Sequence, residues 1–196
     1  MINRLDRETS GIVLIAKTAE SARECRRQFE TGQVRKQYLV MVEGAFPSEL
    51  QARGYLVGDN ISPVRKKRRF VQAENADETV KTTGQWAETI FRRQATDGTI
   101  SLLEARPVTG RLHQIRATLC SLGYPVVGDK IYGPDDTIFL RFIAGACTDH
   151  DHRLLRVDRQ ALHATELHLN HPLSGQRVNL YAPLPSPIRE LLPEPA

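Results

Sequence analysis

The sequence predicts an α+β fold, with a mixed, largely antiparallel central sheet and flanking helices. Three observations predict it. Short β-branched and aromatic runs recur along the chain, several of them paired across turn residues. Helical patterns are too few to alternate with those strands as a doubly wound parallel sheet requires. The chain has 196 residues, 40% of them hydrophobic, and no repeat or linker-like tract interrupts it. It therefore reads as one domain over 1–196 with a single sizeable core.

Taken in order, IVLIA (12–16) reads as a buried strand. Thr18 caps a helix through Glu30, with Ala19, Ala22, Cys25 and Phe29 on one face and Gly32 beyond its end. KQYLVMVEG (36–44) is a second strand, whereas 45–63 reads as loop with one short strand at GYLV. VRKKRRFV (64–71) contains five consecutive basic residues, and strands are expected at 79–94 and 99–106 around the turn Asp97-Gly98. Thr109 is placed to cap a helix whose apolar stripe is Leu112, Ile115, Leu119 and Leu122, with Gly123 at its C-cap. The segment 134–158 fits either strand or short helix, with DHDHR at the surface. Strands QALHATELHL and RVNLYAP then flank the turn HPLSGQ, and PSPIRELL makes a last helical turn.

Composition narrows the function. A formal net charge of +4 suits an anionic partner such as nucleic acid, without requiring one. Cys25, Cys120 and Cys147 are widely spaced and odd in number, which points to free thiols in a reducing compartment, hence the cytoplasm. No apolar run approaches the roughly 20 residues of a membrane span. The histidines offer no metal site: His150 and His152 share a loop, and His163, His168 and His171 fall on different strand faces or in a turn, whereas zinc needs three or four convergent ligands.

The opening NRLDRETSG places Asp6 between Arg4 and Arg7. A lone loop aspartate is commonly a turn former, but adjacent guanidiniums also lower a carboxylate's pKa when they are near in space. Arg116 lies about 80° from the centre of its helix's apolar stripe, at about 100° per residue, where an arginine either snorkels to solvent or meets a carboxylate. Arg111, read as lying in the first helical turn, is disfavoured by the macrodipole unless a phosphate binds there. In Arg65, Lys66, Lys67, Arg68 and Arg69, alternate side chains of an extended strand could reach one nucleic-acid backbone; simple solvation explains them equally. Tyr38 is either a core aromatic or a surface for stacking a base.

Together RLDRETSG (4–11), KQY (36–38), TGRLHQIR (109–116), GYPVVGDKIYG (123–133) and LHATELHLNHPLSG (162–175) resemble the RNA pseudouridine synthase family, ribosomal large subunit pseudouridine synthase A type, in order and with comparable spacing. The resemblance implies isomerisation of a uridine in structured RNA, ribosomal or transfer, by a monomer needing neither metal nor organic cofactor. It places Asp6 on the catalytic aspartate, Arg116 on its basic partner and Tyr38 on the tyrosine that stacks on the base. Arg4 falls on the residue that takes the place of the extruded nucleotide. Arg7, Lys36, Arg111, His113 and the 65–69 run are the expected RNA contacts. Asn3 stands where relatives carry histidine, and altered RNA contact or loop support is expected from it. Relatives also begin earlier, so the fold is expected without their usual N-terminal segment. The alternative is an RNA-binding protein of the same fold without turnover; a metal-dependent hydrolase is the remote third reading.

Overall fold

The computed structural model describes residues 1–192. Eight strands form one sheet: β1 (Ser10–Gly11), β2 (Arg35–Glu43), β3 (Glu49–Gly58), β4 (Arg68–Gln72), β5 (Gln85–Thr96), β6 (Ile100–Pro107), β7 (Leu162–Asn170) and β8 (Arg177–Tyr181). Their order is β1-β7-β2-β6-β5-β3-β4, with β8 sharing the outer edge of β7 with β1. Among the described residues only the β1–β7 pair is parallel; the other strand ladders are antiparallel. Among the described residues six α-helices flank the sheet: α1 (Ala19–Glu30), α2 (Glu78–Thr83), α3 (Gln114–Ser121), α4 (Thr137–Ile143), α5 (Asp149–Leu155) and α6 (Ser186–Arg189). The fold is the mixed, largely antiparallel α+β architecture that the strand pattern predicts.

The main core lies where α3 packs on the sheet: Val40, Val42, Phe91 and Leu103 from the strands meet Ile115 and Leu119 from the helix. These inward positions alternate along β2, β5 and β6, as a half-covered sheet demands. A separate cluster seats α1 on β7 through Cys25, Leu167 and Leu169. Thr18 caps α1 by accepting from Ser21 N, as expected. The buried face of that helix also contains Gln28, whose amide pairs with both the N–H and C=O of Asn170 at 2.8 and 2.9 Å. Ala19, by contrast, is exposed.

Several expected boundaries are corrected. IVLIA does not form a buried strand: the ladder is confined to Ser10–Gly11, and Val13 and Ile15 are 42% and 69% exposed while Ile12 and Leu14 turn inward. The short strand expected at GYLV is longer: it belongs to the ten-residue β3, whose inward positions Ala52, Gly54 and Leu56 hide the alternation because two of them are small. Gly54 is required there, since a Cβ would lie 2.1 Å from the Val71 carbonyl oxygen. Residues 79–83 are helical, not strand, because Asp77 accepts from Val80 N at 2.7 Å and starts α2 against the β-branched propensity of TVKTT.

Thr109 does not cap α3. The helix begins at Gln114, and Thr109 instead accepts from Glu88 N and donates to the Gln114 side chain. The region left open between strand and helix contains α4 and α5. The DHDHR stretch is not all surface: Asp151 is buried, completing a capping box with Thr148 and pairing with Arg141 at 2.6 Å. Among the described residues no helix is long and apolar enough to cross a membrane.

Candidate active site

Asp6 is carried on a loop whose base is tied shut. Asn3 donates to Ile12 O and accepts from Leu14 N, while Ile2 N donates to Leu14 O. Loop support is thus what Asn3 supplies here. Beyond the loop, Gly11 (φ 114°) runs so close to β7 that a Cβ would lie 2.2 Å from Ala164 O. Glu8 grips the nearly fully buried Lys130 at 2.8 Å, and Lys130 also lies over the Phe142 ring at 4.6 Å. The loop is therefore fixed at its base, its return and its middle.

From α3, Arg116 donates to Asp6 Oδ2 through Nη1 at 2.9 Å, across 110 residues of sequence. The same guanidinium forms a two-pronged pair with Asp129, at 2.6 Å from Nε and 2.8 Å from Nη2. Asp129 in turn accepts from the backbone N–H groups of Ile131 and Tyr132, and the Tyr132 ring lies 4.9 Å beneath the guanidinium carbon. Burial alone would lower the Arg116 pKa. The charges and hydrogen bonds of Asp129 and Asp6 outweigh it and hold the pKa above the ordinary arginine value. Burial likewise opposes ionisation of Asp129, and Arg116 overrides it, so the carboxyl stays below its usual range. Arg116 does not snorkel: it is 4% exposed and spans two carboxylates, one sealed and one at a cleft.

That cleft encloses about 400 Å³, within the roughly 300–1,000 Å³ of cavities that hold a drug-sized ligand. A nucleoside falls in that size class. Of the residues singled out from the sequence, Arg4, Asp6, Lys36, Tyr38, Arg111, His113 and Arg116 line it. Tyr38 stands on β2 opposite Ala105 and Ala164, where burial and then the Asp6 charge push its phenol up to about 12. Lys36 has no hydrogen-bond partner among the described residues, and burial lowers its pKa. His113 adopts the left-handed region (φ 55°) immediately before α3, and its Nδ1 lies 2.9 Å from the Tyr132 hydroxyl. Burial, then the Arg116 charge, lowers the imidazole pKa, which favours the neutral ring accepting from the tyrosine.

Other predicted residues sit elsewhere. The exposed Arg7 stacks over Phe142 at 5.5 Å from the ring centroid, outside the cleft lining. Arg111 precedes α3, so the helix dipole gives it no penalty and no phosphate argument; its Nε donates to Trp86 O. In the basic run only Arg68 and Arg69 lie in β4. Lys67 is held by Asp136 at 3.0 Å, whereas Arg65, Lys66 and Arg69 are exposed. None of the five lines the cleft. Among the described residues there is no group of three or more His, Cys, Asp or Glu side chains suited to a metal.

Sequence reasoning missed Asp129, Tyr132 and Gln114. Gln114 is 4% exposed and locks the 109–111 loop by accepting from Thr109 Oγ1 and Arg111 N while donating to Glu88 O. A usable signal existed for Asp129: a charge set between Val126-Val127 and Ile131-Tyr132 is hard to solvate.

A family description, RNA pseudouridylate synthase, matches residues 1–121, which include Asp6, Tyr38 and Arg116. The chain belongs to the RNA pseudouridylate synthase family. Across 98% of its length it is 35% identical to an uncharacterized RNA pseudouridine synthase of Chloroflexus aurantiacus, covering 52% of that protein. It is 32% identical to a ribosomal large subunit pseudouridine synthase D of Xanthomonas campestris, over 98% of this chain and 53% of the relative. The chain thus spans about half the length of the curated relatives it matches. A ribosomal large subunit pseudouridine synthase C of Yersinia pestis is also 32% identical, so the A type is not singled out within the family. Among solved structures, human RNA pseudouridylate synthase domain containing 1 superposes with a TM-score of 0.68 at 25% identity, over 93% of this chain and 67% of that one.

Proposed function

We propose that this RNA pseudouridylate synthase family chain converts uridine in structured RNA, ribosomal or transfer, to pseudouridine. The observation that carries the reading is the Asp6–Arg116 pair at 2.9 Å, set in an open cleft and backed by a sealed carboxylate. A nucleotide enters the cleft swung out of its stack, at a cost on the order of a few kcal/mol. Arg4, taking the place of the swung-out nucleotide, and Lys36, attracting phosphates, offset part of that cost.

Asp6, as the carboxylate, acts on the ribose, either by attack at C1′ or by removing the C2′ proton. Its charge is held in place by Arg116, whose other face is occupied by Asp129, so the guanidinium cannot swing away to pair with a phosphate. Uracil is released from C1′, turned, and rejoined through C5. The C5 proton is then lost, and Tyr38 stacks on the ring and assists that loss. With its phenol protonated up to about 12, Tyr38 does so as a hydroxyl that relays the proton onward, not as a standing phenolate. The reaction is an isomerisation without redox change, so the residues named carry it with no organic cofactor or metal.

One continuous sheet supports a single catalytic domain, and three unpaired cysteines fit a reducing, cytoplasmic setting. Incubation with RNA tritiated at uridine C5 tests the reading. Release of tritium to water is expected; RNA binding without release would leave a binding protein of the same fold. Chelation of metals is expected to leave release unchanged, and a strong loss would favour metal-dependent chemistry.

A further inference from the structure

The cleft occupies one face of the sheet, and the opposite face carries charge that the reaction does not use. Along β7, Leu167 and Leu169 are buried beneath α1, while Glu166, His168 and Asn170 turn to the other side and stay partly open. Their neighbours extend this face. Arg35 on β2 is the register partner of His168, and on β8 Arg177 pairs with Asn170 and Tyr181 with Glu166. Arg106 on β6 completes a second concavity of about 260 Å³.

The carboxylates of this face are already engaged. Glu166 is bound by His168 Nε2 at 2.9 Å and Gln37 Nε2 at 3.3 Å, and Glu104 sits 2.6 Å from Arg106. Arg35 and Arg177 are exposed and form no ion pair among the described residues. On the same face Tyr181, the register partner of Glu166, is 69% exposed. Two unpaired guanidiniums and an open aromatic suit a polyanion with stackable bases, which is single-stranded RNA. The concavity and the cleft share one lining residue, Lys36, at the start of β2.

We propose that the RNA strand leaving the cleft bends round the start of β2 past Lys36 and lies on this opposite face, with phosphates on Arg35 and Arg177 and a base on Tyr181. The proposal rests on RNA being the substrate. It makes the sheet a ridge that the RNA straddles, so affinity for an RNA with a single-stranded flank beside the target exceeds what the cleft alone provides.

The test compares the unaltered protein with Arg35→Ala/Arg177→Ala, both at exposed positions where folding is not at stake. The probes are a labelled RNA whose uridine-containing loop continues into a single-stranded extension, and the same RNA without the extension. For the extended RNA, binding should weaken roughly tenfold, and the slope of log affinity against log salt should fall by about 1.4, about 0.7 for each phosphate no longer bound. KM should rise with kcat retained. The RNA without the extension should bind both proteins equally. A photo-crosslinking residue replacing Tyr181 should become attached to the extension, outside the target nucleotide. An unchanged salt slope, equal losses on both probes, or no cross-link would overturn the proposal. Absence of tritium release by the unaltered protein would strike the enzymatic reading instead, because the salt slope is measured independently of turnover.

Discussion

Two clusters of charge in this molecule are assembled in opposite ways. Asp6, Arg116 and Asp129 come from a loop, a helix and a second loop far apart in sequence, yet they form one chain of hydrogen bonds between 2.6 and 2.9 Å. Arg65 to Arg69 are consecutive, yet the fold scatters them: Lys67 is held by Asp136, Arg68 donates its backbone N–H to Tyr132, and Arg65, Lys66 and Arg69 stay in solvent. Adjacency in sequence marked a patch, whereas tertiary contacts built a site. The difference is energetic. Exposed charges interact through water and contribute little individually, while a buried guanidinium needs carboxylate partners to offset its desolvation.

The largest effect separating the two clusters is expected at Arg116. Arg116→Ala leaves Asp129 buried without its partner and should destabilise the fold by about 3–5 kcal/mol, read from urea unfolding. A loss below about 1 kcal/mol would mean that water replaces the guanidinium and that the site is less sealed than its burial indicates.

Next in size is the response to acid. The Asp129 pKa is depressed in the folded chain, so its contribution to stability is present in full above the unfolded value of about 3.9 and is lost as pH falls below it. Unfolding midpoints between neutral pH and about pH 3 should therefore drop more steeply for the parent than for Asp129→Asn. Equal slopes would assign the acid sensitivity to other carboxylates. On the alkaline side, the raised Tyr38 pKa keeps the phenol intact until about 12. The pH–rate profile should accordingly show no limb from Tyr38 near the ordinary tyrosine value of about 10, and a Tyr38-dependent limb there would show that the ring is more solvated than its position in the cleft implies.

The smallest effects belong to the basic run. Arg65→Ala/Lys66→Ala/Arg69→Ala should flatten the salt dependence of RNA binding by about 0.7–0.9 for each phosphate the variant no longer neutralises, with stability unchanged. Lys67→Ala should do the reverse, costing about 1 kcal/mol of stability with little change in slope. If Lys67 carries the slope instead, the scattering described above is not how the run functions in the complex.

The sequence made much of this legible, for identifiable reasons. Short β-branched and aromatic runs bounded by turn residues marked β2, β6 and β7, a threonine cap marked α1, and five ordered motifs carried the family and seven residues that line the cleft. What stayed hidden depended on contacts remote in sequence. Asp129 and Lys130 look like surface loop residues because each is charged, and both are buried because Arg116 and Glu8 arrive from elsewhere in the chain. Of the strand β3 only GYLV was expected; its first half was masked by the polar, small-residue run 49–53, in which Ala52 is the single fully buried position. Local propensity also misplaced the start of α3. There Gln114 ties Thr109 and Arg111 into an irregular turn, and His113 adopts the left-handed region just before the helix, a geometry no window of neighbouring residues expresses.

The central claim is that the Asp6 carboxylate, held by Arg116, performs the chemistry on a uridine. Its most direct test is tritium release from C5-labelled RNA by the parent and by Asp6→Asn, with RNA affinity measured on the same samples. Release by the parent, a fall of at least about a thousandfold in the variant, and affinity within a few-fold of the parent are expected. Undiminished release by Asp6→Asn would contradict the claim outright.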